Sequence, residues 1–356
     1  MNLNAAQKLF RVRLMHWHYH QNTRSLPWKL EKDPYRIWLS EIILQQTRAE
    51  QGLPYYLKFI EHYPDVVRLA NARDEEVFRL WQGLGYYARC RNLLATARHV
   101  AGSLNGEFPR SYEGLLALKG IGAYTAAAIA SFAWGLPHAV VDGNVIRVLS
   151  RVFGIDVAFD TTQGKKQFSS LADLLLDRQD PAGYNQAIMD HGATVCTPVS
   201  PDCPRCPFEA FCIARSRGLI AHLPVRSKKL SLRQRYFQYI LFSHEGQLWV
   251  RKRTGKDIWQ NLYEPFLIES EKPLSAIEML QTEAWKNLNL TKKPRFEGVV
   301  RQRLTHQQIE TNFYSAELAE RPQTLENSGE WVSFDRLKNY AFPRTLVSFL
   351  EKKLYF

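Results

Sequence analysis

The stretch LKGIGAYTAAAIA, Leu118 to Ala130, sets two glycines around one isoleucine and then runs into an alanine-rich helical pattern. Glycine has no Cβ, so Gly120 and Gly122 permit backbone geometry and close approach that other residues forbid. The amides opening the following helix are unpaired and carry the positive end of its dipole. Together these features make an anion site of phosphate size. An ordinary tight turn between packed helices would use the same residues, so a Gly-x-Gly in isolation decides nothing.

At 356 residues the chain is long enough for two or three domains and a sizeable core. Its 45% hydrophobic content is that of a soluble globular protein. No apolar run approaches the ~20 residues that a bilayer demands, and the opening MNLNAAQKLFRVRLMHWHYH mixes charge and histidine into every turn, unlike a secretory signal. A cytoplasmic protein without a membrane partner is expected, nucleoid-associated if bacterial. The formal net charge of +12 favours a polyanionic partner over a small neutral substrate, because neutralising phosphates releases counterions. That excess is uneven: Ile213 to Arg235 holds seven Arg or Lys residues and no acidic one, whereas a uniformly solvated surface would mix signs.

Up to about Gly218 the apolar residues recur at helical spacing, as in PYRIWLSEIILQQT (34–47), GYYARCRNLLATARHVAGSL (85–104) and NVIRVLSRVFG (144–154). The texture then changes. RYFQYILFSHEGQLWVRKR (235–253) is two β-rich runs around His-Glu-Gly, a hairpin signal. Strand character continues through YEPFLIE, FEGVVRQRLTHQQIETNFYSAEL and GEWVSF, with helix candidates at Ser275–Leu288 and Arg344–Lys353. The expected organisation is an all-α core over residues 1–218, a basic connector over 219–234 and an α+β domain over 235–356.

Four of the five cysteines fall in CTPVSPDCPRCPFEAFC: Cys196, Cys203, Cys206 and Cys212, separated by six, two and five residues. Four thiolates this close can wrap tetrahedral zinc or a cubane iron–sulfur cluster. Zinc ribbons pair two Cys-x-x-Cys knuckles across a gap; only one is present here, which favours a [4Fe-4S] cluster. Cys90 stands alone and reads as a packed helix residue.

Taken together, LKGIGAYTAAAIA, the aspartate about twenty residues later in VVDGNVIRVLSR, and the Cys-x6-Cys-x2-Cys-x5-Cys spacing resemble the iron–sulfur DNA glycosylases of the helix-hairpin-helix superfamily. Within it, LPWKLEKDPYRIWLSEIILQQTR and WQGLGYYARCRNL are similar to the N-terminal motifs of the MutY-type adenine glycosylases, which also carry a β-rich domain after the cysteines. The resemblance covers roughly the whole chain, densely over 24–212 and thinly after 235. It implies one [4Fe-4S] cluster and a monomeric enzyme acting on double-stranded DNA that contains adenine opposite 8-oxoguanine or guanine.

Cleaving a purine N-glycosidic bond requires protonation of the leaving base and negative charge facing an oxocarbenium-like sugar, which two carboxylates in different environments can supply. Asp142 precedes Gly143-Asn144 at a helix start, where an aspartate serves as N-cap and is held ionised by helix amides. The resemblance makes Asp142 the oxocarbenium stabiliser or a transient nucleophile, with Asn144 orienting it or the sugar. Glu41, flanked by Trp38, Leu39, Ile42 and Ile43, reads by sequence alone as the solvent side of an amphipathic helix. The resemblance reverses this and makes Glu41 the general acid, its pKa raised by desolvation. Related bifunctional enzymes carry a lysine where this chain has Tyr124; a phenol forms no imine, which implies base release without strand cleavage. Tyr124 is expected to hydrogen-bond near Asp142.

Reaching a stacked base requires flipping it out. By resemblance, Gln45, Gln46 and Tyr86 fill the gap, and Arg24, Leu26, Trp28 and Gln186 line the adenine pocket. The C-terminal domain resembles a Nudix module. Its AIEMLQTEAWKNL offers only Glu278 and Glu283 where Mg²⁺-dependent Nudix hydrolysis needs a Glu-Glu pair, so lesion recognition is expected instead of Mg²⁺ chemistry. The family's Phe-Ser-His recognition loop corresponds to Leu304-Thr305-His306, with leucine in place of the aromatic wedge. The rival readings are a bifunctional glycosylase and lyase for oxidised pyrimidines, and a non-catalytic iron–sulfur DNA-binding protein; the joint presence of Glu41 and Asp142 argues against the second.

Overall fold

The computed structural model describes residues 4–227 and 232–353. The chain divides into two compact units, one of Met1–Asn71 with Asn92–Lys229 and the other of Ala72–Arg91 with Leu230–Phe356. The units are not contiguous in sequence, since residues 72–91 group with the later part of the chain.

The first unit is helical. The helix Pro34–Leu44 starts on Asp33, whose side chain accepts the Tyr35 amide at 2.9 Å, with proline at a position whose N–H has no helical partner anyway. Tyr35 and every residue from Ile37 to Ile43 are buried, so this helix threads the interior. The helix-hairpin-helix comprises Tyr112–Leu116, a turn, and Ala123–Trp134. In the turn Gly120 has φ +79°, and a Cβ there would come within 2.6 Å of the Asn92 Cβ, so both conformation and space demand glycine. The Thr96 hydroxyl donates to the Lys119 carbonyl at 2.6 Å and pins the turn. Gly122 is the N-cap of the second helix, supplies no side-chain cap, and a Cβ there would meet nothing. Helix Gly143–Phe153 begins on Asp142. Phe10, Trp17, Val148, Phe168, Tyr184, Ile188 and Phe208 belong to one core. Phe208, between Cys206 and Cys212 in sequence, stacks on Phe10 with centroids 4.4 Å apart and so anchors the cysteine loop to the N-terminal helix.

The second unit is built on a seven-stranded sheet: β1 (Arg233–His244), β2 (Gln247–Lys252), β3 (Tyr263–Glu264), β4 (Phe266–Ser270), β5 (Arg295–Arg303), β6 (Gln307–Glu317) and β7 (Glu330–Ser333). The order β3-β2-β1-β6-β5 has β1 parallel to β6, while β4 pairs with β1 and β7 with β2. The expected hairpin forms β1 and β2, turning through Glu245 at φ +44° and Gly246 at φ +73°, the left-handed pair that a two-residue turn uses. Helix Arg344–Lys352 covers one face, with Phe349 stacked on Phe313 at 3.8 Å. Segment 72–91 joins this unit through Lys252 on Glu75 and the Phe342 amide on Gln82.

The continuous helix expected at Ser275–Leu288 is broken. Helices Ala276–Gln281 and Glu283–Lys286 meet at Thr282, whose hydroxyl accepts the Trp285 amide and starts the second. Of the expected connector, residues 228–231 lie outside the described residues. Its flanking cations are partly spoken for: Arg226 lies 4.0 Å from Asp160, and Arg235 pairs with Asp257 and Glu269. The basic run therefore presents less free charge than its composition implies.

Candidate active site

Two carboxylates share one cleft of the first unit. Glu41 and Asp142 both line an opening of about 740 Å³, together with Arg24, Leu26, Trp28, Gln45, Gln46, Tyr124, Asn144 and Gln186. That volume falls within the range of small-molecule sites, roughly 300–1,000 Å³.

Glu41 is 6% exposed, inside and not on the solvent side that periodicity favours. Burial is the largest influence on its carboxyl and pushes it up to about 7; the negative charge of Asp142 adds to the rise and a hydrogen bond from Tyr124 opposes it. Tyr124 thus bonds Glu41, where a hydrogen bond near Asp142 was expected; burial pushes its phenol well above the ordinary value, and both carboxylates add to the rise. A carboxyl near neutrality can be protonated and deprotonated within one turnover.

Asp142 caps its helix: Oδ1 accepts the Val145 amide at 2.8 Å and Oδ2 accepts the Asn144 Nδ2 at 2.8 Å. Burial raises its pKa, and these donors with the Arg147 charge hold it back. Sequence reasoning counted only the stabilising amides and missed the desolvation that outweighs them. Arg147 is the other residue it missed. Its Nη2 donates to the Asn144 Oδ1 at 2.8 Å and to the Gly192 carbonyl at 2.6 Å, and its Nε to the Cys196 carbonyl at 2.7 Å. Asp142 is therefore oriented by a relay that ends on the backbone of the first cysteine.

Arg24 and Gln186 reach the cleft, but their polar ends converge on Asp190, which is fully buried. Arg24 Nη1 is 2.8 Å and Gln186 Nε2 3.1 Å from its Oδ1, while Asn22 and Lys29 engage Oδ2. Only the i, i+4 spacing of Gln186 and Asp190 hints at this in sequence. Trp28 packs edge-on against Tyr56 at 5.4 Å. Gln45 donates to the Thr125 hydroxyl at 3.3 Å, and Gln46 is exposed with φ +59°, a conformation uncommon outside glycine and asparagine.

Tyr86 falls in the second unit. It too has positive φ, +49°, and its exposed ring lies against the Arg89 guanidinium, which also covers Trp81. Its hydroxyl meets that of Thr305. Leu304, Thr305 and His306 form the turn between β5 and β6, closed by the Leu304 amide on the Gln307 carbonyl at 2.7 Å. Glu278, the first candidate Nudix carboxylate, is bound to Ser275 in a capping box.

All four cysteines of the expected metal set border one cavity, beside Arg151 and His191. Arg151 Nη1 lies 3.5 Å from the Cys196 Sγ and His191 Nε2 lies 3.5 Å from the Cys206 Sγ. Burial pushes the Cys206 thiol up to about 12 and the Cys212 thiol upward as well. Among the described residues no three His, Cys, Asp or Glu side chains stand close enough to share a single ion.

The family model of HhH-GPD superfamily base excision DNA repair proteins matches residues 39–172, and that of the NUDIX domain matches residues 238–352. The adenine DNA glycosylase of Buchnera aphidicola subsp. Acyrthosiphon pisum is 32% identical over 255 residues, 72% of this chain and 73% of that protein. The human adenine DNA glycosylase is 45% identical over 222 residues, 60% of this chain and 40% of the human protein. Among solved structures, a thermostable thymine-DNA glycosylase has a TM-score of 0.56 at 29% identity, covering 60% of this chain and 97% of that one. A non-covalent endonuclease III–DNA complex, at 20% identity and TM-score 0.52, shares the fold over 61% of the chain. With a helix-hairpin-helix core, a NUDIX-type sheet and close to three quarters of a relative's length matched, the chain belongs to the adenine DNA glycosylase family.

Proposed function

We propose that this chain is a monofunctional DNA glycosylase of base excision repair, which hydrolyses the N-glycosidic bond of adenine opposite 8-oxoguanine or guanine and leaves an abasic site. The observation that carries the reading is the convergence of Glu41 and Asp142 on one cleft, with burial setting Glu41 near 7. In its protonated form Glu41 gives its proton to the departing base, and the C1′–N bond electrons leave with adenine. Asp142, aimed by Val145 and Asn144, faces the positive sugar. Water then adds to C1′ and its proton returns to Glu41, restoring the enzyme.

Gln45, Gln46 and Tyr86 fill the vacated stack, and Leu26, Trp28, Arg24 and Gln186 receive the base, the last two through the Asp190 cluster. The uncapped helix entrance at Gly120–Gly122 takes a backbone phosphate. Leu304, Thr305 and His306 read the base opposite. A division of roles along the sequence into a catalytic core (1–218), a basic connector (219–234) and a lesion-reading domain (235–356), with segment 72–91 of the core grouped with the later unit, belongs to the same reading, as do a cytoplasmic site of action and a monomeric state. No helix among the described residues is long and apolar enough to cross a membrane.

Cys196, Cys203, Cys206 and Cys212 suit one [4Fe-4S] cluster. Their donor set is all thiol, Arg151 Nη1 donates toward the Cys196 sulfur while His191 Nε2 lies against that of Cys206, and buried thiols with raised pKa need a strong cation to become ligands. A cluster held by these cysteines would staple the loop that carries exposed Arg205, itself paired with Asp202, toward a backbone phosphate.

A single-turnover base-release assay on duplexes with A:8-oxoguanine, A:G and A:C tests the activity. Release from the first two without borohydride-trapped protein–DNA adduct is expected. Strong trapping would transfer the chain to the bifunctional class, and no release from any duplex would leave only DNA binding.

A further inference from the structure

His191 is fully buried, and its ring contacts and hydrogen-bond distance among the described residues involve Trp17, Phe208 and Cys206, not the residues assigned to base release above. Its ring stands edge-on to Trp17, with centroids 5.2 Å apart and planes at 88°, and tilted against Phe208 at 4.8 Å. This packing fixes the ring plane and leaves one polar direction: Nε2 lies 3.5 Å from the Cys206 Sγ, while Nδ1 has no partner. A neutral imidazole carries one N–H. Placed on Nδ1, that hydrogen would be a buried donor without an acceptor, a rare arrangement, and the Nε2 lone pair would face the lone pairs of a ligating sulfur. Placed on Nε2, it points at the sulfur, and only an acceptor lone pair is left unmet.

We propose that His191 is a hydrogen-bond donor built into the metal pocket, holding the Cys206 thiolate and raising the reduction potential of the cluster it ligates. This rests on the [4Fe-4S] reading of the four cysteines. Hydrogen bonds to cluster sulfurs stabilise the more negative, reduced form, so they raise the potential. Arg151 is a donor of the same kind at Cys196, but it is tied to three carbonyls as well; among the described residues the His191 ring has no polar partner besides Cys206.

The full-length protein labelled with ¹⁵N-histidine tests this. Iron and sulfide content is measured first. Ferricyanide then removes one electron per cluster, itself becoming ferrocyanide, and the paramagnetic product is examined for hyperfine coupling to ¹⁵N. Coupling to one histidine nitrogen is expected, lost in His191→Phe, a variant that keeps an aromatic ring against Trp17 and Phe208. The variant's midpoint potential is expected to shift to a more negative value. A loaded cluster with no ¹⁵N coupling and an unchanged potential overturns the role of His191 and leaves the cluster intact as a reading. Native protein without iron overturns both. If His191→Phe does not fold, the native ¹⁵N spectrum alone decides.

Discussion

The phenol of Tyr124 hydrogen-bonds the carboxylate of Glu41, and this contact restrains a pKa that burial drives up to about 7. The two residues come from different helices, Pro34–Leu44 and Ala123–Trp134. The hairpin that places Tyr124 therefore also tunes the acid. Removing the hydroxyl in Tyr124→Phe deletes the one influence that lowers the pKa, so Glu41 should titrate above its present value. If Glu41 must be protonated to act, the alkaline limb of the base-release profile moves to higher pH. Single-turnover rates across the pH range measure this; an unmoved limb would show that another group controls it.

Glu41→Gln separates chemistry from stability. General acid catalysis contributes about 10²–10⁴-fold, and loss of base release on at least that scale is expected while binding to lesion duplex persists. Folding responds with the opposite sign. The folded carboxyl sits at about 7 against an ordinary 4.5, so the folded state holds an extra proton between those values and stability falls as pH rises through that window. At the alkaline end the loss is on the order of 3 kcal/mol. Glutamine carries no such penalty, so the variant should melt above the wild type in mildly alkaline buffer, the gap closing below pH about 4.5. Thermal denaturation at several pH values checks both signs.

Arg147→Gln should harm fold and catalysis together. The guanidinium serves two buried carbonyls and Asn144, and unsatisfied groups cost about 1–3 kcal/mol each. Without Arg147, Asn144 loses its anchor and Asp142 loses both orientation and a compensating charge. A lower melting temperature accompanied by slower base release at unchanged duplex affinity is expected. Slower release with normal stability would mean the relay orients without supporting the fold.

Leu304→Phe addresses selectivity. The β5–β6 turn presents leucine beside Thr305, whose hydroxyl meets Tyr86. An aromatic ring stacks on bases where leucine does not, a gain of about 0.5–1.5 kcal/mol. The variant should favour A:8-oxoguanine over A:G by roughly 3–10-fold more than the native enzyme, read from rate ratios at matched saturation. An unchanged ratio would remove this turn from lesion reading.

What the sequence made legible follows physical lines. The hairpin at Glu245–Gly246, the cap at Asp142 and the turn at Gly120 are local, and their side chains or φ values leave a mark in a short window. Glu41 was misjudged by periodicity because its helix is buried on every side, and periodicity reports only helices with one wet face. The Ser275–Leu288 pattern concealed a break because Thr282 fits a helix interior poorly only when its hydroxyl finds the Trp285 amide. Beyond the short Gln186–Asp190 and Asn144–Arg147 spacings, Asp190 and Arg147 act through partners distant in sequence, which no window holds.

The second unit recruits Ala72–Arg91 from within the chain of the first. During synthesis this segment emerges long before β1, and its Glu75 and Gln82 must wait for Lys252 and Phe342. The Glu75–Lys252 and Gln82–Phe342 contacts are therefore completed only once the later chain has emerged. A fragment cut at the connector would lack Glu75 and Gln82, the partners of Lys252 and Phe342.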